Sequence, residues 1–267
     1  MILAGAAHDP DRIDILHHLL DSEAYVHVAT LPGGISLDIT RHVALMWVAS
    51  ALLLVTMTAV GRQKGAVPRG IRNLFEPVLL FIRQELAVPN FHDKADRYVP
   101  FLWTVFFFIL FCNLLGLIPG SATPTGNLSI TAGLALISFF AIHVTGVREN
   151  GAGHYLASIV PPVPWWLWPL LLVVEIVGIF AKPFALAVRL WANMNGGHIV
   201  ILVMMGFIFL FKNFAAAGIS VVAATAIYML EIFVAFLQAF IFTFLTTLFI
   251  GMSVVFHHDD HEEATAH

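Results

Sequence analysis

Charge is scarce in this sequence. Asp, Glu, Lys and Arg make up 11% of its 267 residues, against 59% hydrophobic, and mean hydropathy is +0.88. Soluble domains carry about 25% charged and about 45–50% apolar residues. A water-soluble fold of this length would lack the polar surface to cover its core, so the class is integral membrane protein. Cysteine is reduced to Cys112, which excludes an intrachain disulfide framework and a Cys-based metal site. No basic face suits nucleic acid. There is no P-loop for nucleotide, and neither H-E-x-x-H nor G-x-S-x-G for an intramembrane hydrolase. No internal repeat is visible, whereas secondary transporters usually show two matching halves. Met1 to Ala7 has no basic stretch of the kind that opens a secretory signal.

What remains is a series of long apolar runs. Residues 1–42 are polar and rich in acidic groups, and read as an N-terminal segment outside the cytoplasm. Membrane spans are expected at 43–60, 99–118, 128–147, 165–211 and 215–256, within a membrane domain covering 43–256. In 70–98, Ile71, Leu74, Phe75, Val78, Leu79, Ile82 and Leu86 recur at helical spacing. That pattern suits a surface amphipathic helix, or a loop helix packed on other spans. Pro161, Pro162 and Pro164 break any helix before Trp165, Trp166 and Trp168, which suit an interfacial anchor. Residues 257–267 form an acidic, His-rich tail, read as solvated rather than metal-binding.

Orientation follows from the basic residues. Gly61–Tyr98 carries Arg62, Lys64, Arg69, Arg72, Arg83, Lys94 and Arg97, whereas Pro119–Asn127 has no charge. The first loop is therefore expected in the cytoplasm, with the N-terminus outside. The two final apolar runs would be roughly 60–70 Å long as continuous helices, about twice the hydrocarbon thickness. Each is either two short spans or one steeply tilted helix. The absence of a good turn inside 215–256 favours two tilted helices, joined as a hairpin near Lys212-Asn213. The expected fold is thus all-α, with five crossings, a surface helix and a cytoplasmic C-terminus.

Arg189 sits far inside the fourth run. A charge at the bilayer centre costs about 3 kcal/mol or more, and arginine cannot shed its proton to escape. It must face water, a counter-charge or another subunit. Glu175, Lys182 and Arg189 are spaced by sevens and share one helical stripe, which Asn193 extends. Gly196 and Gly197 admit a close neighbour. His198, nine residues from Arg189, points elsewhere, and an antiparallel partner helix would bring it to Glu231, which shares a face with Gln238. Such groups can serve as buried ion pairs or as a proton relay. Jointly they favour the relay, which needs groups that bind and release protons near working pH. His143 lacks comparable sequence neighbours and reads as a hydrogen-bonded structural residue.

Several of these segments resemble one family. Arg189-Leu-Trp-Ala-Asn-Met-Asn-Gly-Gly-His198 is similar to the arginine signature of subunit a of F-type ATP synthases. So are Leu237-Gln-Ala-Phe-Ile-Phe242, Asn113-Leu-Leu-Gly-Leu-Ile-Pro119, and Glu175 upstream of Lys182-Pro183. The likeness runs from about Asp38 to Phe256. It implies a non-catalytic stator subunit that cups a rotor ring of c subunits and joins peripheral-stalk b subunits in a bacterial plasma membrane, without a cofactor or metal. Arg189 would face the ring carboxylate. Asn193, His198, Glu231 and Gln238 would line an outer half-channel, and Glu175 a cytoplasmic one. Other family members carry a carboxylate where His198 stands and a histidine where Glu231 stands; mitochondrial-type members share the order found in this chain. The alternative from another class is a multi-span secondary ion transporter.

Overall fold

The computed structural model describes residues 26–31, 35–62, 70–118, 123–153, 155, 166–211 and 214–255. Several expectations fall outside them: the prolines at 161, 162 and 164 with Trp165, the Lys212-Asn213 turn, and the 257–267 tail.

Helices α1 (Arg41–Arg62), α2 (Ile71–Phe81), α3 (Val88–Phe91), α4 (Ala95–Gly116), α5 (Leu128–Asn150), α6 (Trp168–Phe211) and α7 (Phe214–Val255) make up almost all of the described chain. Five helical stretches are long and apolar enough to cross a membrane: α1, the run Ile71–Gly116, α5, and most of α6 and α7. The last two contain no break among their residues, because neither Pro183 nor Gly196-Gly197 interrupts α6. The all-α expectation needs one addition. Val26–Leu31 and Ile35–Ile39 form β1 and β2, an antiparallel pair with Val26 opposite Ile39 and a bulge near His27 and Ala29. Alternating β-branched residues either side of Pro32-Gly33-Gly34 carry that signal.

The 70–98 segment is not one regular helix. Pro89 has no N–H to donate, and the turn before it widens to a π-helix over Ile82–Ala87, where Val88 N–H bonds to Arg83 O. The chain then turns at His92, whose φ of 47° is left-handed. This corner rests on α7, where a Cβ at Gly251 would stand 3.0 Å from Asn90 O. Ile82 and Leu86 are buried, Phe75, Val78 and Leu79 pack against the core, and Ile71 and Leu74 are exposed. Trp103 Nε1 donates to Leu79 O at 3.0 Å, tying α2 to α4.

The core centres on α4, is joined by residues of α1, α5, α6 and α7, and mixes aliphatic with aromatic side chains. Phe106 meets Phe107 and Phe236 edge-on, with ring centroids 5.1 and 5.5 Å apart, a geometry worth about 0.5–1.5 kcal/mol per pair beyond burial. Polar ties close both ends. At the end rich in basic residues, Glu149 accepts from Lys94 (2.6 Å), Arg97 (2.7 Å) and Tyr98 (3.0 Å). Asn150 Nδ2 donates to Ser253 O, which adds α7 to that group. At the other end Asn127 caps α5 by accepting from Ser129 N–H at 2.8 Å. The buried Asn113 accepts from Thr125 Oγ1 at 2.8 Å and donates to Ala235 O at 3.2 Å. Exposed apolar side chains such as Trp47, Leu54, Phe180, Phe184 and Phe233 cover the outside, as a lipid-facing surface requires.

Asn113→Leu keeps the branched shape but removes the partner of the buried Thr125 hydroxyl and the side-chain bond to Ala235 O. Loss of stability by about 1–3 kcal/mol is expected, read as a lower thermal unfolding midpoint of the detergent-solubilised protein.

Candidate functional site

Helices α6 and α7 run antiparallel, because the pairs Asn193–Gln238 and His198–Glu231 step in opposite directions along the two sequences. His198 Nδ1 lies 3.3 Å from Glu231 Oε1 and 2.9 Å from Met194 O. Its Nε2 lies 3.1 Å from Gly116 O and 3.3 Å from Thr123 Oγ1. Acceptors thus face both ring nitrogens. A neutral imidazole can donate to one side only, an imidazolium to both. Glu231 is buried, with its side chain only 5% exposed, and among the described residues it has no hydrogen-bond donor beyond its contact with His198. Its carboxylate sits where a side chain at residue 197 would be: a Cβ on Gly197 would lie 2.6 Å from Glu231 Cδ. Gly196, by contrast, faces open space.

About two turns along α7, and nearer Arg189 on α6, Asn193 Nδ2 donates to Gln238 Oε1 at 2.6 Å. Gln238 is buried, and its Nε2 has no acceptor among the described residues. Tyr228 turns away from Glu231 and donates to Leu117 O at 3.1 Å. Asn195 donates to Gly126 O at 2.9 Å, fixing the 123–127 turn on α6. Threonine 123 and the Gly116 carbonyl escaped the sequence reading, since 75 and 82 positions separate them from His198 and no local pattern joins them.

Glu175 and Lys182 occupy a different place, toward the opposite end of the pair. With His143, Tyr155 and Ser138 they line a cavity of about 140 Å³ between α5, α6 and α7. Lys182 Nζ rests 4.9 Å from the centre of the Phe249 ring. The seven-residue spacing keeps Glu175 and Lys182 together here. It also drifts by about 20° per heptad on a straight helix, and Arg189 does not line the cavity. His143 has the hydrogen bond expected of it, Nδ1 to Phe139 O at 3.0 Å. It also has titratable company that the sequence did not reveal.

Arg189 is exposed and makes no hydrogen bond or ion pair among the described residues. At about 1.5 Å rise per residue it stands roughly 21 Å along α6 from Glu175 and roughly 13 Å from His198. The helix therefore carries an unpaired cation between two separate polar regions. Among the described residues no group of three or more His, Cys, Asp or Glu side chains could hold a metal.

A family model described as ATP synthase A chain matches residues 43–251. The chain belongs to the ATP synthase A chain family. Its relatives include ATP synthase subunit a of Chloroherpeton thalassium, 46% identical over 97% of this chain and 82% of that protein. That of Myxococcus xanthus is 49% identical over 86% of this chain and 78% of its own length. ATP synthase subunit a 2 of Prosthecochloris aestuarii is 43% identical over 99% of this chain and 85% of its own length. Glu175, Arg189, Asn193, His198, Glu231 and Gln238 all fall within the part matched by the ATP synthase A chain model, and the β1–β2 pair lies outside it.

Exchange of the paired side chains, His198→Glu with Glu231→His, should preserve more ATP-driven proton pumping in vesicles than His198→Ala or Glu231→Ala. A double exchange more damaging than both single losses would exclude a shared proton-binding pair.

Proposed function

We propose that this chain is the proton-translocating stator subunit of a rotary F-type ATP synthase, giving protons access to and from the carboxylates of a rotor ring of c subunits. The observation that carries the proposal is Arg189: a permanent charge in an apolar helix, exposed and unpaired among the described residues, between the Glu175 cavity and the His198–Glu231 pair along α6. Its counter-charge then has to come from another subunit.

The physics of the exchange is direct. A ring carboxylate crossing lipid must be neutral, and beside Arg189 its anion is stabilised, so it gives up its proton there. The region formed by Asn193, His198, Glu231 and Gln238 serves as the outer half-channel. Glu175 and its cavity serve as the cytoplasmic one. The fixed charge of Arg189 between them opposes a direct proton leak. Each proton carries about 2.3 kcal/mol per 100 mV of membrane potential, and several are needed for each ATP made elsewhere in the complex. The subunit itself has no catalytic role.

The membrane is a bacterial plasma membrane rather than a mitochondrial one, consistent with relatives from bacteria. The N-terminus is outside and the C-terminus cytoplasmic, because the 61–98 segment carries Arg62, Lys64, Arg69, Arg72, Arg83, Lys94 and Arg97 whereas 119–127 carries no charge. The ring packs on the exposed face of α6 and α7 that includes Arg189, and peripheral-stalk b subunits complete the stator. A secondary ion transporter would need matched halves around its site, and the helices of this chain show no such repeat.

Arg189→Ala in vesicles holding the assembled complex should abolish coupled ATP synthesis and ATP-driven proton pumping, with ATP hydrolysis by the detached catalytic head unchanged. Normal coupled pumping by this variant would contradict the proposal.

A further inference from the structure

The cavity that holds Glu175 contains a second proton-binding side chain that the reading above leaves unused. His143 projects into it from α5. Its Nδ1 faces the Phe139 carbonyl at 3.0 Å, and a carbonyl only accepts, so the neutral ring carries its hydrogen on Nδ1. That leaves the lone pair on Nε2. Nε2 is buried and has no hydrogen-bond partner among the described residues. The ring is held in place by Phe139 at 4.1 Å and Tyr155 at 6.1 Å between centroids. Tyr155 in turn seats against α5 only because residue 146 is glycine, where a Cβ would lie 2.8 Å from Tyr155 Cδ2.

The cavity suits water. One molecule needs about 10–15 Å³, far below the volume of about 140 Å³ here. Besides Nε2, its lining includes a second buried polar atom without a partner among the described residues, Ser138 Oγ. Buried polar atoms are almost always satisfied by protein or by water. The charged and titratable groups around His143 are few: Glu175 and Lys182 on α6, Tyr155, and none on the α7 wall formed by Phe249, Met252 and Ser253. Burial and the nearby Glu175 carboxylate hold the Tyr155 phenol above its ordinary range, so it stays protonated.

We infer that His143 is a proton-carrying residue of the Glu175 cavity, binding at Nε2 the protons that pass between Glu175 and the cytoplasm. A proton leaving the Glu175 carboxyl breaks its O–H bond and forms the Nε2–H bond of an imidazolium. Release to solvent at the basic end of the bundle restores the neutral ring, with no other bond made or broken. His143 lies five positions before Arg148 and six before Glu149, at the end tied by Lys94 and Arg97. This inference rests on the assignment of Glu175 to the cytoplasmic half-channel.

The test uses assembled complexes in vesicles stripped of the catalytic head, with passive proton conductance measured while pH is varied on one side at a time. His143→Gln can keep the donor to Phe139 O but cannot bind a proton. Its conductance should fall by about 10-fold or more, within or below the range of about 10²–10⁴ that a positioned proton-transfer group supplies. The dependence on head-side pH between about 5 and 8 should also disappear, with the opposite-side profile unchanged. His143→Ala should recover conductance when imidazole is added on the head side. A wild-type head-side profile in His143→Gln overturns the inference. So does a loss that is independent of pH and unrescued by imidazole, which would mark packing alone. Arg189→Ala in vesicles that keep the catalytic head reports in parallel on the underlying function: normal coupled pumping there would fail that reading whatever His143 does.

Discussion

An arginine keeps its charge at any physiological pH, and at bilayer depth that charge has to be met by an anion or by water. Neither carboxylate of α6 and α7 meets it within this chain. Glu231 is turned to His198 at 3.3 Å, and Glu175 lines a cavity roughly two-thirds of a bilayer core away along the helix axis. The guanidinium of Arg189 is left on the outside of the bundle. In the proposed function a partner brings the opposite charge to it and takes that charge away again, neutralised. The unbroken length of α6 and α7 suits the same role, since one continuous surface presents the arginine and both polar regions.

The rest of the structure keeps those regions apart and in register. The outer one is built by long-range contacts: the 123–127 turn is held down by Asn195 and Asn113, and in turn sets Thr123 and the Gly116 carbonyl against His198. The opposite end is tied by Glu149, which gathers Lys94, Arg97 and Tyr98, and by Asn150 on α7. Between them lies a hydrophobic core in which Phe106 of α4 packs edge-on against Phe236 of α7. Two glycines matter for opposite reasons. Gly197 makes room for the Glu231 carboxylate, whereas Gly196 leaves the outer surface flat near Arg189.

Much of this was legible in the sequence, because membrane helices advertise themselves. Long apolar runs announced five membrane-length helices, and helical arithmetic moved His198 off the Arg189 face toward Glu231, which it meets at 3.3 Å. The contacts that escaped are those that depend on which helix packs where. His143 looked isolated because its cavity companions come from α6 and from Tyr155, not from its own helix. The stripe of 70–86 looked uniform, yet Pro89 and the His92 corner bury Ile82 and Leu86 while leaving Ile71 and Leu74 exposed. The β1–β2 pair was missed for a different reason: a short, polar stretch beside strong membrane signals was read by its charge and not by its alternation.

The central claim is that Arg189 divides two aqueous regions open to opposite faces of the membrane. Single cysteines at Glu175 and at Glu231, in a chain whose Cys112 is replaced by alanine, can be probed with a membrane-impermeant thiol reagent applied to one face at a time in vesicles holding the assembled complex. The account predicts labelling of residue 175 only from the face that carries the catalytic head, and of residue 231 only from the other. Labelling of both positions from the same face would contradict it.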